Sequence, residues 1–189
     1  MDKVVDITPF EFPKDLALLS RSVKELKPRG GIEVIHTPLQ GEAIRRWCSE
    51  TGNLFKSISP ERSTVIRGKG FHGVCLGEKL SFYLTGVKLH FKEYLLLLTR
   101  KYPPYLFNFI SVKEALKGLE ILKDLSEDYI VLPSPKEVEG YCGFAVGFND
   151  YSTCEGIFKE LLDRKVGVEV IFRRGEKGKY ELLKGAWEF

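Results

Sequence analysis

Four cysteines and three histidines are the side chains whose types could carry nucleophilic or metal chemistry in this 189-residue chain. Cys142 has the most distinctive setting. Pro133-Ser134-Pro135 closes an apolar run, and Lys136 through Gly140 form an acidic loop. Cys142-Gly143 then opens the alternating run Phe144 to Phe148. The pattern predicts a thiol at a loop-to-strand junction, with Gly140 and Gly143 removing bulk and freeing the backbone for positive φ, so that a partner can approach the sulfur. A thiol that only packs more often lies inside an apolar element.

The chemistry such a thiol offers is attack as thiolate on a persulfide donor, which needs exposure and partial ionisation near neutral pH. Lys136 is the nearest cation in sequence, opposed by Glu137 and Glu139, and the amides around Cys142 could form an anion-holding concavity. The bland alternative is a small buried residue at the start of a core strand. Cys154 is expected in the first turn of the last helix, where the dipole lowers a thiol pKa; it reads as a second, resolving thiol or as an inert one. Cys48 reads as core, and Cys75 is open. His72 and Cys75 are three apart, but there is no second pair and no CxxC, so no metal or cofactor is expected.

Composition narrows the class. A hydrophobic content of 43% with 12% aromatics supports a buried core, and a net charge of +3 is far from the clustered basicity of a nucleic-acid binder. No apolar stretch approaches the ~18 residues of a membrane span, and the first residues lack a leader-like apolar region, so a cytoplasmic protein is expected. Walker, Gly-x-Ser-x-Gly and His-Glu-x-x-His motifs are absent.

The positioning elements follow from periodicity and breakers. Residues 3–8 read as a strand. Pro13 opens a helix with Leu16, Leu19, Val23 and Leu26 inward, and with Lys14, Asp15, Arg21, Lys24 and Glu25 toward water. Residues 32–37 are a strand stopped by Pro38, and residues 42–51 a helix capped by Gly52. Residues 54–58 and 63–67 pair about a turn. Residues 71–104 read as a connecting segment with a helical face, ending in Pro103-Pro104. Residues 106–110 are a strand, and Ser111 with Glu114 forms a capping box for the next helix. Strands at 129–132 and 144–148, a helix at 152–164, and strands at 167–173 and 180–183 complete the order. The fold class is α/β, in the sense of α+β two-layer sandwiches, with βαβαββ followed by βαββαβ, a split βαβ or ferredoxin-like arrangement.

Two resemblances rest on these residues. Residues 3–69, through Val5-Asp6-Ile7, Phe12-Pro13, Ile32-Glu33-Val34 and the phrase from Ala43 to Asn53, resemble the TusA-like sulfur-carrier fold. That family places its persulfide cysteine before the helix-opening proline, where this chain has Phe12; the resemblance therefore implies a docking or structural lobe without the family's chemistry. Residues 106–172, through Ser111 to Leu116, Leu132-Pro133-Ser134-Pro135 and Cys142-Gly143, resemble a family described as Se/S carrier-like, in which the cysteine of the Cys-Gly pair is the proposed carrier.

The two resemblances together imply domains at 1–70 and 105–189 joined by 71–104. They imply a carrier, rather than a turnover enzyme, that holds sulfur or selenium on Cys142 as a persulfide. Its donor would be a cysteine desulfurase or another carrier, and its acceptor an unknown protein. The alternative from residues alone is an RNA-binding or protein-interaction adaptor using the basic loops and Phe107, Phe109, Phe144 and Phe148; those phenylalanines alternate as a core face does.

Overall fold

The computed structural model describes residues 3–68, 102–125, 128–138 and 141–189, with the side chain of Lys136 outside that set. Residues 71–101 of the segment expected to connect two lobes, with His72, Cys75 and His90, lie outside the described residues, as do Glu139 and Gly140.

Two sheets and four helices make up the described chain, the α/β class expected from periodicity. The first part runs β1 (Lys3–Asp6), α1 (Lys14–Lys24), β2 (Gly31–Ile35), α2 (Pro38–Thr51), β3 (Leu54–Ser59) and β4 (Arg62–Ile66). Its sheet order is β1-β2-β4-β3, with β1 and β2 parallel and the other pairs antiparallel. The βαβαββ order matches the sequence reading. One boundary differs: α2 begins at Pro38, four residues early. Thr37 accepts from the Gln40 N–H while the Gln40 side chain accepts from the Thr37 N–H, a full capping box with proline at the first turn. Pro38 therefore starts a helix as well as stopping a strand.

The second part runs β5 (Tyr105–Phe109), α3 (Val112–Leu125), β6 (Ile130–Pro133), a 3-10 turn (Lys136–Val138), β7 (Phe144–Phe148), α4 (Tyr151–Asp163), β8 (Val168–Arg174) and β9 (Tyr180–Gly185). The sheet is antiparallel in the order β6-β7-β5-β8-β9. The first four strands have the connectivity of a split βαβ unit, and β9 adds a fifth at the edge. Pro133 sits on the edge strand β6, where a missing N–H costs least. Ser111 caps α3 as expected, accepting from the Glu114 N–H at 3.3 Å, while the Glu114 carboxylate reaches to the Gly167 N–H at 2.8 Å.

Phe107, Phe109 and Phe148 are buried at 1% exposure or less, packed on one another and on Phe158. Phe144 is half-buried beside Phe109. Their alternation thus marks a core face, and they offer no exposed platform for stacking bases.

Helix α1 departs most from its amphipathic reading. Asp15, Leu16, Ala17, Leu19, Ser20, Ser22 and Val23 are all buried, because α1 packs on β2 and α2 on one side and on β8 and the 3-10 turn Ala186–Glu188 on the other. Small residues at 17, 20 and 22 let backbones approach from several directions. Trp47, from α2, donates its indole N–H to the Ile110 carbonyl at 3.0 Å across the same seam, and one buried cluster includes residues of both sheets.

Candidate functional site

Cys142 lies one residue before Gly143-Phe144, where the chain turns into β7. Ser134 fastens this corner twice: its hydroxyl donates to the Cys142 carbonyl at 3.2 Å and its N–H donates to the Gly143 carbonyl at 3.1 Å. The Pro-Ser-Pro phrase and the Cys-Gly pair, with Ser134 eight residues before Cys142, are therefore one structural unit. Pro133 and Pro135 frame Ser134 within it. The thiol itself is fully buried, and burial pushes it up to about 12; the Phe144 N–H and the charge of Lys24 favour the thiolate by less than burial opposes it, and Glu169 opposes it too. The exposed, partly ionised thiol of the sequence reading is not the form seen here.

The glycine beside it behaves only partly as expected. Gly143 is exposed and does not adopt positive φ, yet a Cβ built on it meets nothing within 4 Å. The corner is open above the backbone and closed around the sulfur. Gly143→Ala is accordingly expected to change stability by less than about 0.5 kcal/mol. A drop in thermal midpoint well outside that range would mean that the corner needs glycine for a reason beyond space.

What covers the seam beside the sulfur is Tyr141. Its ring meets Trp47 edge to face at 5.2 Å, and Lys24 Nζ lies 5.2 Å from its centroid. Its hydroxyl donates to Asn53 Oδ1 at 3.4 Å, an oxygen that also accepts the Gly68 N–H at 2.9 Å. Burial pushes this phenol to about 12. Tyr141 therefore spans from the Cys142 corner to α1, α2 and the residue after α2's glycine cap.

Beneath it is an ion pair that the sequence reading missed. Lys24, assigned to the water-facing side of α1, is buried against Glu169 of β8, with side-chain exposures of 9% and 1%. Glu169 occupies a β-bulge: Phe107 pairs with Ile171 and Phe109 with Val168, so Asn108 faces two residues of β8. Asn108 closes that irregularity, donating to Glu169 Oε2 at 2.8 Å and accepting the Val170 N–H at 3.2 Å. Glu169 Oε1 is buried with no hydrogen-bond partner. Burial lowers the Lys24 pKa more than Glu169 raises it. Arg67 caps the C-terminal end of α1, donating to the Lys24 and Leu26 carbonyls at 2.5 Å each. The available signals were the polar residues Asn108 and Glu169 inside the apolar runs of β5 and of the first half of β8.

The chain is similar to a protein of Aquifex aeolicus (strain VF5) named "Putative sulfur carrier protein". The two are 24% identical over 186 residues, a span covering 94% of this chain and 93% of the other. No family model matches the chain, and no solved structure matches it.

Gly140 and the Lys136 side chain, also expected at the site, lie outside the described residues. Cys154 lies in the first turn of α4, but burial first, and then Asp150 and Glu155, push its thiol up to about 12, opposite to the lowering expected from the helix N-terminus. Cys48 is core, as expected, and its thiol too is pushed up to about 12 by burial. Among the described residues, no group of three or more His, Cys, Asp or Glu side chains could hold a metal, and no helix is long and apolar enough to cross a membrane.

Proposed function

We propose that this chain is a sulfur carrier that holds sulfane sulfur on Cys142 as a persulfide and relays it between a donor and an acceptor protein. The observation that carries the reading is the likeness, over nearly the whole length of both chains, to a protein named as a sulfur carrier. Residues 1–70 act as a TusA-like lobe whose carrier position is Phe12, and they supply docking surface; residues 105–189 act as the ferredoxin-like lobe that bears the thiol, with 71–104 connecting them. The donor is a cysteine desulfurase or another carrier.

In loading, the Cys142 sulfur attacks the outer sulfur of a donor persulfide. A Cys142 S–S bond forms, the donor's S–S bond breaks, the donor leaves as a thiol after taking up a proton, and Cys142 gives one up. No oxidant or reductant is consumed.

A fully buried sulfur cannot meet a donor, so the form described here is the closed one, and transfer requires the Tyr141-Cys142 corner to lift. The same burial favours a second reading, in which Cys142 is a packed structural residue. Intact mass after incubation with a cysteine desulfurase and cysteine separates the two. The expected result is one added sulfur on the wild type and none on Cys142→Ser, with Cys48→Ser, Cys75→Ser and Cys154→Ser still loading. An adduct that survives Cys142→Ser would move the carrier role to another cysteine, and no adduct on any protein would leave the structural reading.

A further inference from the structure

The buried ion pair suggests a role for Lys24. Replacing a buried salt bridge by apolar residues of similar volume is often neutral or stabilising, so a pair maintained under a tyrosine at the seam between two sheets is poorly explained by stability alone. Three features link it to the Tyr141-Cys142 corner. Lys24 Nζ stands over the ring of Tyr141, the residue before Cys142. Glu169, its partner, has one oxygen shared by Lys24 and Asn108 and a second buried with no partner, so the carboxylate is incompletely satisfied. The ionisable groups whose fields reach Cys142 are these same two, with opposite signs. Arg21 on α1 acts on Lys24, and Cys48 of α2, Arg67 after β4 and Glu169 act on Tyr141.

We propose that Lys24 is a positioning residue for sulfur transfer at Cys142: its ammonium, held by Glu169 while the thiol is neutral, is the cation that steadies the anionic sulfur once Cys142 ionises or carries a persulfide. This rests on the carrier reading. A persulfide loaded on Cys142 and ionised places a negative charge in a site that water does not reach, and an isolated buried anion is strongly disfavoured without a partner. Lys24 supplies that partner from the other sheet's helix, so the charge is met only when the two sheets are together. Glu169 competes for the same ammonium, and Asn108 keeps the carboxylate in place when the ammonium turns to the sulfur.

The prediction is a pair of opposite effects. Lys24→Met removes the cation and Glu169→Gln removes the competing anion, keeping an oxygen for Asn108. A purely structural pair gives the same sign in both variants, because either one breaks the ion pair and loosens the corner. The experiment uses the full chain, with inorganic polysulfide as sulfur source and, separately, iodoacetamide as alkylating probe, and reads modification of Cys142 by peptide mass across pH 6–10. Circular dichroism checks that every variant is folded.

The expected result is that Lys24→Met slows Cys142 modification about tenfold throughout pH 6–10, the equivalent of about one pH unit in the thiolate fraction. Glu169→Gln speeds modification over the same range, and Lys24→Arg stays near the parent. Should Lys24→Met fail to fold, Glu169→Gln and Lys24→Arg carry the comparison. Shifts of the same sign, or no shift in any folded variant, overturn the role of Lys24. Polysulfide loading of Cys142 at unchanged rates in the variants overturns Lys24 and leaves the carrier reading. Opposite shifts with iodoacetamide but no sulfur on Cys142 in the parent overturn the carrier reading and leave the electrostatic pairing.

Discussion

Glu169→Ala is expected to lower the free energy of unfolding by about 3–5 kcal/mol, because it leaves the buried Lys24 ammonium without its counter-charge and takes away the acceptor of the Asn108 amide. This is a large fraction of the total stability of an ordinary domain. The double replacement Lys24→Met with Glu169→Leu is expected to cost clearly less than the single change, since it removes both charges and fills the space with carbon. Urea unfolding of the parent, Lys24→Met, Glu169→Leu and the double variant closes a double-mutant cycle. Additive single effects would show that the two side chains do not interact across the seam. A double variant that remains stable but loads sulfur poorly would fit a pair kept for transfer.

The second large effect is alkaline. Cys48, Cys142 and Cys154 each sit in apolar surroundings that push the thiol from 9.0 up to about 12. A raised folded-state pKa gives stability that is fully present below the unfolded value and is lost as pH rises from 9 toward 12, because the unfolded chain gives up protons that the folded chain keeps. Between pH 8 and 10 each thiol forfeits about 1.4 kcal/mol, so the three together forfeit about 4 kcal/mol. Lys24 works the other way: its lowered pKa makes the unfolded chain bind more protons just below 10.5, which raises stability with pH, but it is one group against the three thiols and the raised Tyr141 phenol. Denaturation midpoints at pH 8, 9 and 10 under reducing conditions measure the slope, and Cys154→Ala should remove about a third of it. A stability curve flat over this range would mean that the thiols are hydrated in the folded protein.

Most elements were legible in the sequence because breakers and periodicity agreed, as in β7, whose bounds match from Phe144 to Phe148. The start of α2 was misplaced because Pro38 reads equally as the end of a strand and the first residue of a helix; the Thr37 and Gln40 pairing decides it. Lys24 and Asp15 were misassigned for a different reason. Helical periodicity assumes one wet side, and α1 has none, so a charged residue at a polar-looking position can lie in the interior. The candidate site shows the same limit. The linkage of Pro133-Ser134-Pro135 to Cys142-Gly143 is local, but Tyr141, beside the sulfur, is held by Lys24, Trp47 and Asn53, about 90 to 120 residues away along the chain. No spacing rule within the carrier segment reports contacts from the other sheet.

The enclosure of α1 also sets how freely its residues can drift. On α2, Leu39, Glu42, Arg45 and Glu50 face water, so substitutions can accumulate there while Ile44, Trp47 and Cys48 hold the helix in place. On α1, buried positions follow one another from Asp15 to Ala17 and recur at Leu19, Ser20, Ser22 and Val23, so almost every turn is constrained from more than one side. Accepted changes along α1 would have to arise with matching changes in β8 or α2, and this helix should diverge more slowly and in a more coordinated way than the other described helices.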